Sequence, residues 1–212
     1  MNPIISNFEN IKSLINNSNV KIVAVSKTFS FDDIRPLVMY GHLHFGENKV
    51  QEAQSKWLNC KKDNPKLCLH MIGKLQSNKA KEAVKLFDYI HSLDNQKLAN
   101  ILAKQENITN KKLKYFIQVN IGNEKQKAGI GVNFLDDFFY YCVKELKLNV
   151  IGLMAIPPNN DNANDYFKKL TELNKLLGLK ELSMGMSSDF KIALNYETTF
   201  VRLGSSIFGK RG

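Results

Sequence analysis

Lys27 offers reactive chemistry through the position it holds in this sequence. It closes the run Lys21-Ile22-Val23-Ala24-Val25-Ser26-Lys27. Four consecutive apolar residues, three of them β-branched, read as a strand buried on both faces, as in a parallel sheet. The lysine then stands at the C-terminal end of the strand, where α/β folds keep their chemistry. A solvated strand-end lysine is the commoner outcome of such a pattern. The weight for a function comes from two stretches far downstream, Ser183-Met184-Gly185-Met186-Ser187 and Arg202-Leu203-Gly204-Ser205. In the first, Gly185 lets the backbone approach closely, and Ser187 or Ser188 can cap a helix continuing through Phe190 and Ala193. Gly204-Ser205-Ser206 offers the same parts. Exposed N–H groups at two helix starts, with hydroxyls between them, suit a phosphate dianion; two plain glycine turns are the alternative. Arg202 interrupts an apolar strand, and a buried guanidinium needs an acceptor. A carboxylate such as Glu47 and a ligand nitrogen both qualify.

The elements that must position these residues alternate regularly. A helix is expected over residues 1 to about 18, with Ile4, Phe8, Ile11, Leu14 and Ile15 at helical spacing. After the Lys27 strand, helical patterns alternate with apolar runs at 44–48, 67–73, 89–93, 113–121, 149–156, 181–184 and 199–203. Gly41 stops the helix at 31–40. A glycine-bearing loop at 122–131 leads into a helix at 134–146. Eight strands alternating with helices predict a single (β/α)8 TIM-type barrel with an extra N-terminal helix, one domain over residues 1–212, short for its class. Such barrels bind phosphate in the loops after the seventh and eighth strands. Both glycine-serine stretches fall there.

Composition narrows the class. The 43% apolar and 24% charged content is ordinary for a globular protein. No apolar run approaches the ~18 residues that span a bilayer, and the first residues lack a secretory pattern. Cys60, Cys68 and Cys142 are odd in number and lack zinc-ligand spacing, so free thiols in a reducing cytoplasm and no metal are expected. The net charge of +10 keeps a nucleic-acid partner open. However, the lysines are scattered and no RNA-binding or zinc-finger signature accompanies them, so nucleic acid is not favoured.

The motifs Ala24-Val25-Ser26-Lys27, His44-Phe45-Gly46-Glu47-Asn48-x-Val50-Gln51-Glu52, His70-x-Ile72-Gly73-x-Leu75-Gln76-x-Asn78-Lys79, Ser183-Met184-Gly185-Met186-Ser187-x-Asp189 and Arg202-x-Gly204-Ser205-x-Ile207-Phe208-Gly209 occur in this order. Together they resemble the pyridoxal phosphate homeostasis proteins, whose barrel is like the N-terminal domain of alanine racemase. The resemblance runs from about Val20 to Arg211. It implies that Lys27 forms an internal aldimine with pyridoxal 5′-phosphate. It also implies that Ser183, Ser187, Gly204 and Ser205 hold the phosphate, that Arg202 faces the pyridine nitrogen, and that Asn48 lies near the ring. Gly73 and Met154 would line the same mouth. Lys127 matches a lysine of the family's fifth-strand loop, and Gly122 departs from a position where the family more often has serine.

Whether such a protein catalyses anything turns on two features. Arginine does not give up its proton, so pairing with Arg202 leaves the pyridine nitrogen unprotonated and the ring a poor electron sink. Related racemases complete their site with a second domain, for which no residues are expected after Gly212. These two features favour a carrier that holds the cofactor, takes part in its homeostasis and releases it to dependent apo-enzymes, and a monomer in the cytoplasm is expected. A racemase-like enzyme is the rival reading. Its second acid/base would have to come from residues such as Tyr140, Tyr141 or Tyr196, candidates by residue type alone.

Overall fold

The computed structural model describes residues 2–15, 19–124, 126–158 and 162–209. Their strands are β1 (Lys21–Val25), β2 (His44–Glu47), β3 (Cys68–Met71), β4 (Tyr89–Leu93), β5 (Lys114–Asn120), β6 (Ile130–Gly131), β7 (Val150–Met154), β8 (Glu181–Met186) and β9 (Phe200–Leu203). All pair in parallel. Without β6 they form a closed eight-stranded barrel: β1 lies between β2 and β9, and the ring is completed where Ile90 of β4 pairs Tyr115 of β5. Helices α1 (Pro3–Ile15), α2 (Phe31–Met39), α3 (Val50–Asp63), α4 (Ala80–Leu86), α5 (Gln96–Thr109), α6 (Leu135–Tyr140), α7 (Ala163–Leu176), α8 (Phe190–Ala193) and α9 (Ser205–Phe208) surround it. The expected barrel is the observed one. The extra helix α1 buries Ile5, Phe8, Ile11 and Ile15, and the Asn7 side-chain amide donates to the Ile207 carbonyl of α9 at 3.1 Å. Positions 16–18 and 210–212, which the expected helix and the family resemblance reach, lie outside the described residues.

Three elements differ from the sequence reading. The loop after β5 contains β6, whose Ile130 pairs Val119. Gly129 makes this possible: its φ is +121°, and a Cβ there would lie 2.6 Å from the Asn120 nitrogen. The helix expected at 134–146 divides into a 3-10 turn at Val132–Phe134, α6, and a π-helical turn at Tyr141–Glu145. The wider turn buries Cys142, and the Leu148 N–H reaches the Cys142 carbonyl at 3.0 Å. Finally, β8 continues to Met186 rather than ending at Met184.

Two apolar regions hold the barrel together. The larger lies between sheet and helices and includes Trp57, Phe45, Phe87 and Phe167. The smaller fills the lumen with Val23, Tyr89, Phe116, Met154 and Phe200. Packing is tight there: a Cβ on Gly46 would come within 2.8 Å of Val23 Cγ1. Three histidines share this lumen. His70 stacks on Tyr89 with centroids 4.3 Å apart, and His91 on Phe116 at 4.4 Å. Burial holds His70 and His91 neutral far below the ordinary histidine range, and the Arg202 charge adds to this at His91. Burial likewise pushes His42 and His44 down to about 4.

This fixes the sign of an acid effect. The unfolded chain takes up protons on these rings below about pH 6.5, whereas the folded chain does not until lower pH. Stability should be level above about pH 7 and should fall as pH drops from 6.5 towards 4, by about 1.4 kcal/mol per pH unit for each fully buried ring. Urea midpoints measured between pH 7.5 and 4.5 test this; a midpoint unchanged down to pH 4.5 contradicts it.

Candidate cofactor site

The C-terminal end of β1 is anchored from both sides of Lys27. Ser26 is fully buried, and its Oγ donates to Glu47 Oε1 at 2.7 Å. Lys56 of α3 donates to the Ser26 carbonyl at 2.8 Å and to Glu47 Oε1 at 2.9 Å, and the Trp57 indole N–H adds a third donor to that oxygen at 2.8 Å. On the other side Thr28 adopts φ +70°, rare for a β-branched residue. Its N–H donates to Glu52 Oε1, which also accepts from Lys56 at 3.1 Å. Burial raises the affinity of Glu52 for a proton, but the Thr28 and Lys56 hydrogen bonds outweigh it and hold the carboxyl below its ordinary range. One helix thus fixes the backbone on both sides of Lys27.

Half-buried Lys27 opens on a cavity of about 330 Å³ with Asn48, Arg202, Ser187, Ser188, Gly204 and Ser205 among its lining residues. Ser187 and Ser206 hydroxyls lie 3.0 Å apart, joining the turn after β8 to the start of α9. Gly185 is required where it stands: its φ is +93°, and a Cβ would lie 2.9 Å from Ala193 Cβ. Neither Ser187 nor Ser188 caps α8. Because β8 runs to Met186, residues 187–189 form the turn itself, Asp189 is the N-cap, and its Oδ1 accepts from the Met186 N–H at 2.6 Å.

Arg202 is buried at the floor of this cavity. Glu47, engaged by Ser26, Lys56 and Trp57, is not its partner. Its Nη1 donates to Ser183 Oγ at 2.6 Å and its Nη2 to the Ala155 carbonyl at 3.0 Å. Burial lowers its pKa to about 10, with the Asp189 charge opposing, so the group is cationic at neutral pH.

The remaining sequence candidates fall elsewhere. Ser183 does not line the cavity: it lies in the lumen, fully buried, its hydroxyl held between Arg202 and His91. Met154 is also fully buried in the lumen cluster and is not among the cavity's lining residues. Gly73 belongs to an adjoining cavity of about 470 Å³ that shares Asn48; a Cβ there would lie 2.5 Å from the Asn48 carbonyl oxygen, so this glycine seats Asn48. Lys127 pairs with Glu124 at 2.6 Å and donates to the Pro157 carbonyl at 3.3 Å. A Cβ on Gly122 would meet Pro158 Cγ at 2.4 Å, which accounts for glycine at that position here. The Tyr141 hydroxyl binds Asn100, that of Tyr196 binds Asn164, and Tyr140 is exposed; none of the three lines the cavity. Sequence reasoning missed Ile72, Ile156 and Ser188 in the lining and Lys56 beneath it. The Glu52–Lys56 spacing of four was the available signal for the last.

The comparisons show the family and the fold. The family model described as the alanine racemase N-terminal domain matches residues 1–212. The chain is 38% identical over 200 residues to a pyridoxal phosphate homeostasis protein of Aquifex aeolicus, covering 90% of this chain and 87% of the relative. The protein of that name from Escherichia coli strain K12 is 34% identical over 201 residues, with 91% and 86% covered. The chain belongs to the pyridoxal phosphate homeostasis protein family. PipY of Synechococcus elongatus, solved with pyridoxal phosphate (PLP) bound, superposes with a TM-score of 0.89 at 33% identity, covering 97% of this chain and all of that one; the form without PLP gives 0.90 at 34%, with the same coverage. Alanine racemase of Clostridium difficile, 13% identical with a TM-score of 0.77, shares the fold over 100% of this chain and 57% of its own.

The anchoring of β1 is testable in this family member. Lys56 is 6% and Glu47 0% exposed at the side chain, so Lys56→Met leaves a buried carboxylate without its cation. The variant should lose about 3–5 kcal/mol, most of it recovered by adding Glu47→Gln. Urea unfolding of the two variants reads this. A loss under about 1 kcal/mol in the single variant contradicts it.

Proposed function

We propose that this chain binds pyridoxal 5′-phosphate in the Lys27 cavity, with Lys27 as the covalent aldimine partner, and that it holds and releases the cofactor without turnover. The carrying observation is that a lysine and a donor-only arginine share one cavity beneath two glycine-serine turns. The residues present fit the group. Ser187, Gly204 and Ser205 supply hydroxyls and backbone N–H groups for the phosphate, Asn48 flanks the ring, and Arg202 meets the pyridine nitrogen. When bound, the cofactor supplies an aldehyde for the lysine amine and a conjugated ring.

The chain's own residues decide what that ring can do. Arg202 stays cationic at neutral pH and donates a hydrogen bond to the ring nitrogen without giving up its proton, so it orients the ring without making it an electron sink. Among the described residues, no tyrosine that might serve as a second acid/base lines the cavity. We place Ser183 and Met154 beneath the bound group rather than against it. The carrier reading extends to release of the cofactor to PLP-dependent apo-enzymes in the cytoplasm, by a protein acting as a monomer. No helix among the described residues is long and apolar enough to cross a membrane.

Borohydride reduction of protein mixed with PLP should fix the cofactor on Lys27, read by peptide mapping, and Lys27→Ala should abolish the adduct. A fixed adduct on another lysine would overturn the assignment. Each phosphate hydrogen bond should contribute about 1.5–3 kcal/mol. Ser187→Ala and Ser205→Ala should therefore weaken PLP binding about ten- to hundredfold while leaving unphosphorylated pyridoxal nearly unchanged. Equal losses for the two ligands would remove these serines from the phosphate.

A further inference from the structure

The lumen contains a chain of hydrogen bonds that the cofactor reading does not use. His44 Nδ1 lies 3.0 Å from His70 Nε2, His70 Nδ1 lies 2.9 Å from His91 Nε2, and His91 Nδ1 lies 2.8 Å from Ser183 Oγ. The same oxygen accepts from Arg202 Nη1 at 2.6 Å. Four consecutive bonds therefore connect half-buried His44, at the start of β2, with the arginine at the floor of the cavity. His70, His91 and Ser183 are completely buried.

Elementary bonding rules give this chain a direction. A guanidinium only donates, and a neutral imidazole has one donor and one acceptor nitrogen. Ser183 accepts from Arg202, so its own proton goes to His91 Nδ1. His91 then carries its hydrogen on Nε2 and donates to His70 Nδ1; His70 carries its hydrogen on Nε2 and donates to His44 Nδ1. In the opposite sense His91 and Arg202 would both donate to Ser183 Oγ. The serine proton would then have no acceptor, because these two groups are the only partners of that hydroxyl among the described residues. A buried hydroxyl without an acceptor is costly, so one direction is favoured.

We propose that His91, His70 and His44 are positioning residues: their polarised chain holds Ser183 as the fixed acceptor of Arg202 and so sets the direction of the guanidinium N–H groups that face the cofactor. The inference rests on the proposed cofactor reading for its consequence, though the chain itself stands without cofactor. Burial, which keeps the imidazoles neutral, supports it. Arg202 would otherwise have an acceptor whose lone pairs rotate, and the ring nitrogen would meet a donor of uncertain direction.

Two measurements test this. The first uses the full chain without cofactor, labelled with 15N-histidine, and reads tautomers by long-range 1H–15N correlation at neutral pH. His91 and His70 should both be Nε2–H tautomers; an Nδ1–H tautomer at His91 overturns the proposal. The second uses the PLP-loaded chain with His91→Phe, which keeps a ring to stack on Phe116, and with Ser183→Ala. Each should weaken PLP binding about tenfold and displace the absorption maximum in the same direction. The double variant should resemble either single one, because both cut the same chain. Wild-type affinity and spectrum in either variant, or additive losses in the double, contradict the positioning role. If wild-type protein takes up no PLP, the cofactor reading fails while the tautomers still report on the chain.

Discussion

Arg202 places a permanent positive charge with five N–H donors inside the barrel. Desolvating it is costly, and its surroundings show how the cost is met. Ser183 and the Ala155 carbonyl satisfy two donors at 2.6 and 3.0 Å, and Asp189 offers a compensating charge nearby. Further demands follow from that arrangement. Ser183 must be an acceptor, so His91 must receive its proton, and the histidine chain takes its direction. The aromatic lumen then has to accommodate neutral imidazoles, which it does by stacking them on Tyr89 and Phe116.

The neighbouring strand β1 obeys a second constraint of the same kind. The buried carboxylate of Glu47 needs a cation, and Lys56 supplies it from α3. The same ammonium holds the Ser26 carbonyl, and Glu52 holds the Thr28 N–H. Electrostatic compensation and the placement of Lys27 are therefore one structure. Such pairs add little net stability, yet removing one partner is severe, so they bind the helix to the strand end. Lys27 and Arg202 are consequently carried by two separately braced strands, β1 and β9, that are neighbours in the barrel.

Much of this was legible in the sequence because its signals were local. The buried run 22–25 gave a strand, the lysine after it gave a mouth position, and alternating apolar runs gave eight staves. Gly185 was readable as a close approach. What escaped depended on contacts between distant segments. Ser183 reads like a phosphate ligand beside Gly185, but β8 continues to Met186, so this serine lies below the mouth and faces the lumen. Met154, the last residue of β7, is also buried in the lumen cluster. Arg202 offered a choice between a carboxylate and a ligand, and its actual partners, a hydroxyl and a carbonyl from β8 and the end of β7, have no pattern to betray them. The histidines lie on three different strands, so only strand register brings their nitrogens within 3.0 Å.

In the proposed function, a donor-only arginine at the cavity floor makes this barrel a holder of pyridoxal phosphate rather than a catalyst. The most direct measurement incubates PLP-loaded protein with a panel of L- and D-amino acids in deuterated water and follows deuterium at Cα by NMR. Incorporation should be no faster than free PLP gives at the same concentration. Exchange at about 1 s⁻¹ or faster, an ordinary enzymatic rate, that also disappears in Lys27→Ala would contradict it.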